Sequence, residues 1–241
     1  MVLQKNGHCN RDSGRNPDVI QFDMHVHSRF SSDSLTPIRN IVRISDYCHV
    51  LPLVCDHNTI AGSVQVYREI YSKNREIPEI LAEEIMTSDG EIIGVFLQEE
   101  IPPFKSAEET LDAIRDQGAL SIVPHPFCSF RSSVIRPDVL ERIVHRIDII
   151  EGFNSGAVDA ENNTSACNYA AQYNKPVSAG SDSHSPSELG RTFVIIEPFS
   201  TPKDLMKVIS SAKIHYRRSV PVFEAVNQIK NKQTPLSRII A

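Results

Sequence analysis

The sequence has no tryptophan, no block of basic residues and no Cys-x-x-Cys pair. Each absence removes a class of function. With a net charge of −5 over 241 residues and no basic stripe, wrapping a long polyanion is not expected. Single-strand channels also rely on stacking aromatics, of which tryptophan is missing. The five cysteines, Cys9, Cys48, Cys55, Cys128 and Cys167, are odd in number and widely spaced. They indicate neither a disulfide framework nor a zinc ribbon, and a cytoplasmic, reducing location is the simplest reading. No apolar run approaches the roughly 20 residues of a membrane span. Residues 1–17 lack the apolar core of a signal peptide. With no internal repeat or low-complexity linker, one domain is expected over residues 20–225, flanked by flexible tails at 1–19 and 226–241.

What is present is an alternation of strands and helices. Strands are expected at Phe22–His27, Leu51–Cys55, Ile80–Met86, Ile92–Leu97, Ala119–Val123, Ile147–Phe153, Val177–Ala179 and Phe193–Ile196. Asp89-Gly90 makes the pair around it a hairpin. Helices are expected behind Thr36-Pro37, over Ile60–Tyr71, from the Ser106/Glu109 capping box to about Gln117, and over Pro137–His145. Two more should run near Asn162–Tyr173 and, behind Thr201-Pro202, over Lys203–Ala212. Repeated strand–helix units predict an α/β fold with a parallel sheet.

Histidines and acids recur at the ends of those strands: His25-Val26-His27, Asp56-His57, Glu83-Glu84, His125 and Asp182-Ser183-His184. Residues i and i+2 of a strand share a face, so His25 and His27 project together, as do Asp182 and His184. Such a set binds borderline divalent metals such as zinc, manganese or iron. Seven or eight ligands exceed the needs of one tetrahedral ion, so two or three ions are expected. A carboxylate can bridge them, and Glu84 is the candidate. Because adjacent strand residues face opposite ways, only one of Glu83 and Glu84 can point inward. The strand ends of a closed barrel converge on one mouth, which favours a TIM-like barrel over an open sheet.

These runs resemble the motifs of the PHP family (polymerase and histidinol phosphatase). Asp23-Met24-His25-Val26-His27-Ser28 is similar to its first motif and Asp56-His57-Asn58-Thr59 to its second. Ala82-Glu83-Glu84-Ile85 resembles the strand of the bridging glutamate. Pro124-His125-Pro126-Phe127 and Gly180-Ser181-Asp182-Ser183-His184 resemble the third and fourth, in family order. The resemblance implies a distorted (β/α)7 barrel, two or three divalent ions and phosphoester hydrolysis. It implies the ligands His25, His27, Asp33, His57, Glu84, His125, Asp182 and His184. Some members carry a further histidine in the strand after the glutamate; here that stretch reads Glu91-Ile92-Ile93-Gly94.

Three more residues are expected at the site. Asp56 would orient a ligand rather than be one. Arg131 and Arg191, on loops after the third and fourth motifs, would clamp phosphate oxygens. Glu151 and Asn154 are read as lining residues, and His27 or His184 as a proton donor. The expected substrate is a small phosphorylated molecule, a nucleotide or a sugar or amino-alcohol phosphate. A nuclease acting on short nucleic acid and a non-catalytic metal-binding domain are the alternatives.

Overall fold

A computed structural model describes residues 18–71, 78–156 and 160–216. Nearly all of both expected tails lies outside the described residues. The strands are β1 (Ile20–Val26), β2 (Val50–Val54), β3 (Ala82–Thr87), β4 (Gly90–Val95), β5 (Leu120–Val123), β6 (Ile149–Asn154), β7 (Val177–Gly180), β8 (Thr192–Ile196) and β9 (Lys213–Tyr216). The helices are α1 (Ile38–Cys48), α2 (Ala61–Tyr71), α3 (Ala107–Asp116), α4 (Pro137–Ile143), α5 (Ala160–Gln172) and α6 (Pro202–Ile209). A short 3-10 turn, Val144–Arg146, follows α4.

Local chemistry explains most of these bounds. At α3 the Ser106 hydroxyl accepts from the Glu109 N–H and the Glu109 carboxylate accepts from the Ser106 N–H, the reciprocal cap that the sequence predicts. Thr201 caps α6, with Pro202 at its first position. Thr36 does not cap α1; Pro37 is the N-cap residue and offers no side-chain bond. That helix is held instead by the buried face of Ile38, Ile41 and Val42. β9 was not expected. Its four residues are too short to display a period, and pairing with β8 creates it.

The expected distorted (β/α)7 barrel is not closed among the described residues. They build two mixed sheets, ordered β2-β1-β8-β9 and β3-β4-β5-β6-β7. Only β1/β2, β5/β6 and β6/β7 are parallel. The two sheets meet at two single parallel bridges, Val26↔Ser183 and His57↔Glu84. Within the sheets, β1 slips register against β2 between Asp23 and Val26, and β6 against β7 between Glu151 and Phe153. Such irregularities bend a strand, end its ladder and re-aim its side chains.

Phe22, Met24 and Val194 from one sheet pack with Ile93, Ile122 and Ile149 from the other in one apolar cluster. Each such side chain contributes roughly 1.5–3 kcal/mol on burial. The two sheets therefore share a core, and both slips lie next to acidic or imidazole side chains. Among the described residues no helix is long and apolar enough to cross a membrane. Among the described residues Cys55, Cys128 and Cys167 are free thiols.

Candidate metal centre

The slip in β1 turns His25 and His27 to one place, with their Nε2 atoms 3.1 Å apart. Gly180 lets β7 approach them: a Cβ there would stand 2.3 Å from the His25 Cβ. Opposite them, β3 carries Glu84. Its Oε2 lies 3.4 Å from His25 Nε2, 3.2 Å from His27 Nε2 and 3.3 Å from His57 Nδ1. Its Oε1 lies 3.3 Å from His125 Nε2. Glu83 turns the other way, and its Oε1 accepts from the Ile101 N–H at 2.6 Å.

Asp182 closes the other side. Its Oδ1 lies 3.5 Å from His25 Nε2 and 3.4 Å from His27 Nε2. Its Oδ2 accepts from Arg131 and from Asn154. At the rim, half-exposed Asp33 reaches His57 Nε2 at 3.3 Å and His184 Nε2 at 3.2 Å through one oxygen. All eight expected ligands thus come together.

A ninth group joins them that the motifs did not contain. Glu91 is buried, with Oε1 3.6 Å from His57 Nδ1 and Oε2 3.8 Å from His125 Nε2. The turn pairs Thr87 with Gly90 and Met86 with Glu91. Gly90 permits it with φ +128°. Residues directly opposite in an antiparallel pair share a face, so Glu91 lies on the face of Met86 and Glu84. A two-residue turn fixes that parity, and this signal was available in the sequence.

Two ligand residues sit in left-handed backbone, His125 at φ 30° and Asp182 at φ 51°. Such strain costs roughly 1–3 kcal/mol and persists only where neighbours enforce it. Here the His125 N–H donates to Glu151 Oε2 at 2.7 Å, and the Asp182 N–H donates to the His25 carbonyl at 2.7 Å. Glu151 also reaches His25 Nδ1 through its other oxygen at 3.0 Å. It supports two histidines rather than lining open space.

Asp56 stands behind the cluster, accepting from the Ser28 N–H, the Ser28 hydroxyl and the Ser31 hydroxyl. It touches none of the imidazoles directly; the Ser31 hydroxyl lies between it and His27 Nδ1. Arg191 is not brought in. Among the described residues its side chain makes no hydrogen bond or ion pair, and only its N–H donates, to the Glu188 carbonyl.

Charge is concentrated here. Burial opposes ionisation of Glu84, yet His25, His125 and His27 hold its carboxyl well below the usual range. Burial likewise opposes Asp182, which Arg131 and His25 hold well below. Burial disfavours charge on His25 too, and Asp182 leads the groups that raise its pKa. Glu91 is raised by burial and by Glu84.

Among the described residues, both Glu84 oxygens, Asp182 Oδ1, Glu91 Oε2, His57 Nδ1 and both His125 nitrogens are buried without a hydrogen-bond partner. Each such group left unmatched costs roughly 1–3 kcal/mol. Four triads of ligand atoms, each within 4.8 Å, can be drawn: His27/His57/His184, His25/His27/Glu84, His25/His125/Asp182 and His57/Glu84/Glu91. Imidazole and carboxylate together suit zinc, manganese or iron. The residues fit a divalent-metal centre.

Comparison with known proteins places the chain in a family. A family model described as PHP-associated matches residues 160–214. An uncharacterised protein of Methanocaldococcus jannaschii is 36% identical over 178 residues, covering 73% of this chain and 70% of its own length. A two-domain Bacteroides vulgatus protein, containing a predicted PHP-like metal-dependent phosphoesterase, superposes with TM-score 0.66 at 17% identity. It covers 88% of this chain and 70% of its own. Endonuclease Q, in complex with a 27-mer duplex bearing an abasic lesion, superposes with TM-score 0.56 at 17% identity, covering 80% and 57%. The chain belongs to the PHP family.

Proposed function

We propose that this protein is a metal-dependent phosphoesterase that hydrolyses a small phosphorylated substrate, a nucleotide or a sugar or amino-alcohol phosphate. The observation that carries the reading is Glu84, whose two buried oxygens meet four histidines from three different segments and have no hydrogen bond among the described residues. The ligands are His25, His27, Asp33, His57, Glu84, His125, Asp182 and His184, joined by Glu91. Two or three zinc, manganese or iron ions held there would supply Lewis acidity and a water acidic enough to attack phosphorus near neutral pH. On this reading the two sheets, joined at two bridges, form a distorted barrel with the centre at its mouth; the last part of the expected 20–225 domain, residues 217–225, lies outside the described residues.

The chain's own groups do the rest. Arg131 pairs with Asp182 at the edge of the cluster, where its free N–H groups suit a non-bridging phosphate oxygen. Asp33 and His184 stand at the solvent side, which suits departure of the leaving group and makes His184 the better proton donor. His27 is fully buried, which argues against that role for it. Asp56 and Glu151 orient histidines.

The likeness to Endonuclease Q favours a second reading, cleavage of a nucleic acid strand by the same centre. The net charge of −5 argues against a long polyanion. One experiment separates the readings. Chelated protein is given manganese, zinc or iron, then phosphomonoesters, nucleotides and lesion-bearing duplexes. Metal-dependent phosphate release from one small-molecule class is the expected result; strand cleavage alone would establish the second reading. Protein that holds metal but acts on none of them would be a binding domain.

A further inference from the structure

Ser31 belongs to none of the metal-binding positions, yet its buried hydroxyl sits among three partners at hydrogen-bond distance. It lies 2.9 Å from Asp56 Oδ1, 2.9 Å from His27 Nδ1, and 3.0 Å from the His57 backbone nitrogen. A serine hydroxyl has one hydrogen to give and two lone pairs to receive. The His57 N–H can only donate, so it takes one lone pair. Asp56 already accepts from the Ser28 N–H at 2.6 Å and the Ser28 hydroxyl at 2.7 Å, and a carboxylate so placed has nothing to give. The Ser31 hydrogen therefore goes to Asp56. The one remaining lone pair faces His27 Nδ1, which must carry a proton. The opposite assignment would set two oxygen lone pairs against each other 2.9 Å apart in a buried site.

We propose that Ser31 is a positioning residue that locks His27 in its Nδ1–H form, leaving the Nε2 lone pair for a metal ion. The inference rests on the reading of the cluster as a metal centre. Nε2 is the atom that faces Glu84, Asp182 and His25, at 3.2, 3.4 and 3.1 Å. Its neighbour on β1 reaches the same state by another route: His25 Nδ1 meets the Glu151 carboxylate directly at 3.0 Å. One strand thus presents two Nε2 donors, one backed by a carboxylate and the other by a hydroxyl that a carboxylate holds. The same hydroxyl accepts from the His57 N–H, so it also ties the second motif to the first. This gives Asp56 its work, since it sets the direction of the Ser31 hydrogen without touching an imidazole.

The test is the His27 tautomer, read by long-range proton–nitrogen correlation spectra of 15N-histidine-labelled, zinc-loaded full chain, with zinc affinity measured by competition against a chelator. The expected result is an Nδ1–H pattern for His27 in the wild type. Ser31→Ala should weaken the tightest zinc site about 10–100-fold and leave the His27 ring without a single form. Ser31→Thr, which keeps a hydroxyl, should restore both. Ser28→Ala removes a different partner of Asp56 and should leave the His27 form unchanged. Ser31→Ala with wild-type zinc affinity and an unchanged His27 pattern would overturn the inference. So would equal losses in Ser28→Ala and Ser31→Ala, which would reduce Ser31 to a loop anchor. Wild-type protein that takes up no zinc would overturn the metal centre itself, a different outcome from either.

Discussion

Glu84 and Glu91 share one face of the β3–β4 hairpin, and each reaches both His57 and His125. Two buried carboxylates so placed repel one another unless cations lie between them. Removing one charge should therefore be read out in metal content. Glu91→Gln is expected to lose about one equivalent of bound metal while keeping the rest, and Glu84→Gln to lose most of it. Elemental analysis after gel filtration measures this directly. Full occupancy in Glu84→Gln would remove the bridging role.

Metal should stabilise the fold by mass action. An ion present at 100 times its dissociation constant contributes about 2.7 kcal/mol. Adding manganese or zinc to chelated protein should raise the melting temperature by several degrees, followed by differential scanning calorimetry. Asp182→Ala should abolish that rise and the hydrolysis while leaving a folded chain. An unshifted melting curve in the wild type would count against the centre.

Arg131 and Asp182 form the ion pair nearest the proposed phosphate position. Arg131→Ala should lower kcat/KM by about 100-fold, with inorganic phosphate inhibiting correspondingly less and metal content unchanged. Steady-state kinetics with phosphate as inhibitor separate this from a metal defect. Arg191→Ala, by contrast, should leave kcat/KM within about twofold of wild type.

Glu83 supplies a pH signature away from the cluster. Burial pushes its carboxyl up from 4.5 to about 7, against the lowering effect of the Ile101 N–H. Below pH 4.5 folded and unfolded chains both hold the proton. Between there and about 7 only the folded chain does, so stability falls as pH rises through this window. At about 1.4 kcal/mol per pH unit the full loss is about 3 kcal/mol. Glu83→Gln keeps an acceptor for Ile101 and carries no charge. It should be about 1–3 kcal/mol more stable than wild type at pH 8, with no advantage at pH 4.5, by urea unfolding at each pH.

Most of the expected ligands were legible because they lie at or just past a strand end, where a short apolar run gives way to histidine or acid; Glu84 lies inside β3 and Asp33 in the loop after β1. His25 with His27, and Asp182 with His184, are written as i, i+2 pairs, and the structure brings each pair to one place. Glu91 was legible only through the parity of the turn, since its own neighbours are ordinary strand residues. Sequence also cannot write down where a ladder slips. The irregularities beside His25 and Gly152, like the gap between the two sheets, depend on strands far apart in the chain. Arg191 illustrates the opposite error: a cation near a motif in sequence acquires no side-chain partner at the cluster among the described residues.

The two bridges between the sheets lie beside the cluster, at Val26↔Ser183 and His57↔Glu84. On one side of the gap stand His25, His27 and His57; on the other stand Glu84, Glu91, His125 and Asp182. An ion coordinated from both sides would act as a clasp across a seam that backbone hydrogen bonds barely close. Assembly of the barrel wall and uptake of metal then become one cooperative event, and the reactive centre doubles as the fastening of the architecture around it.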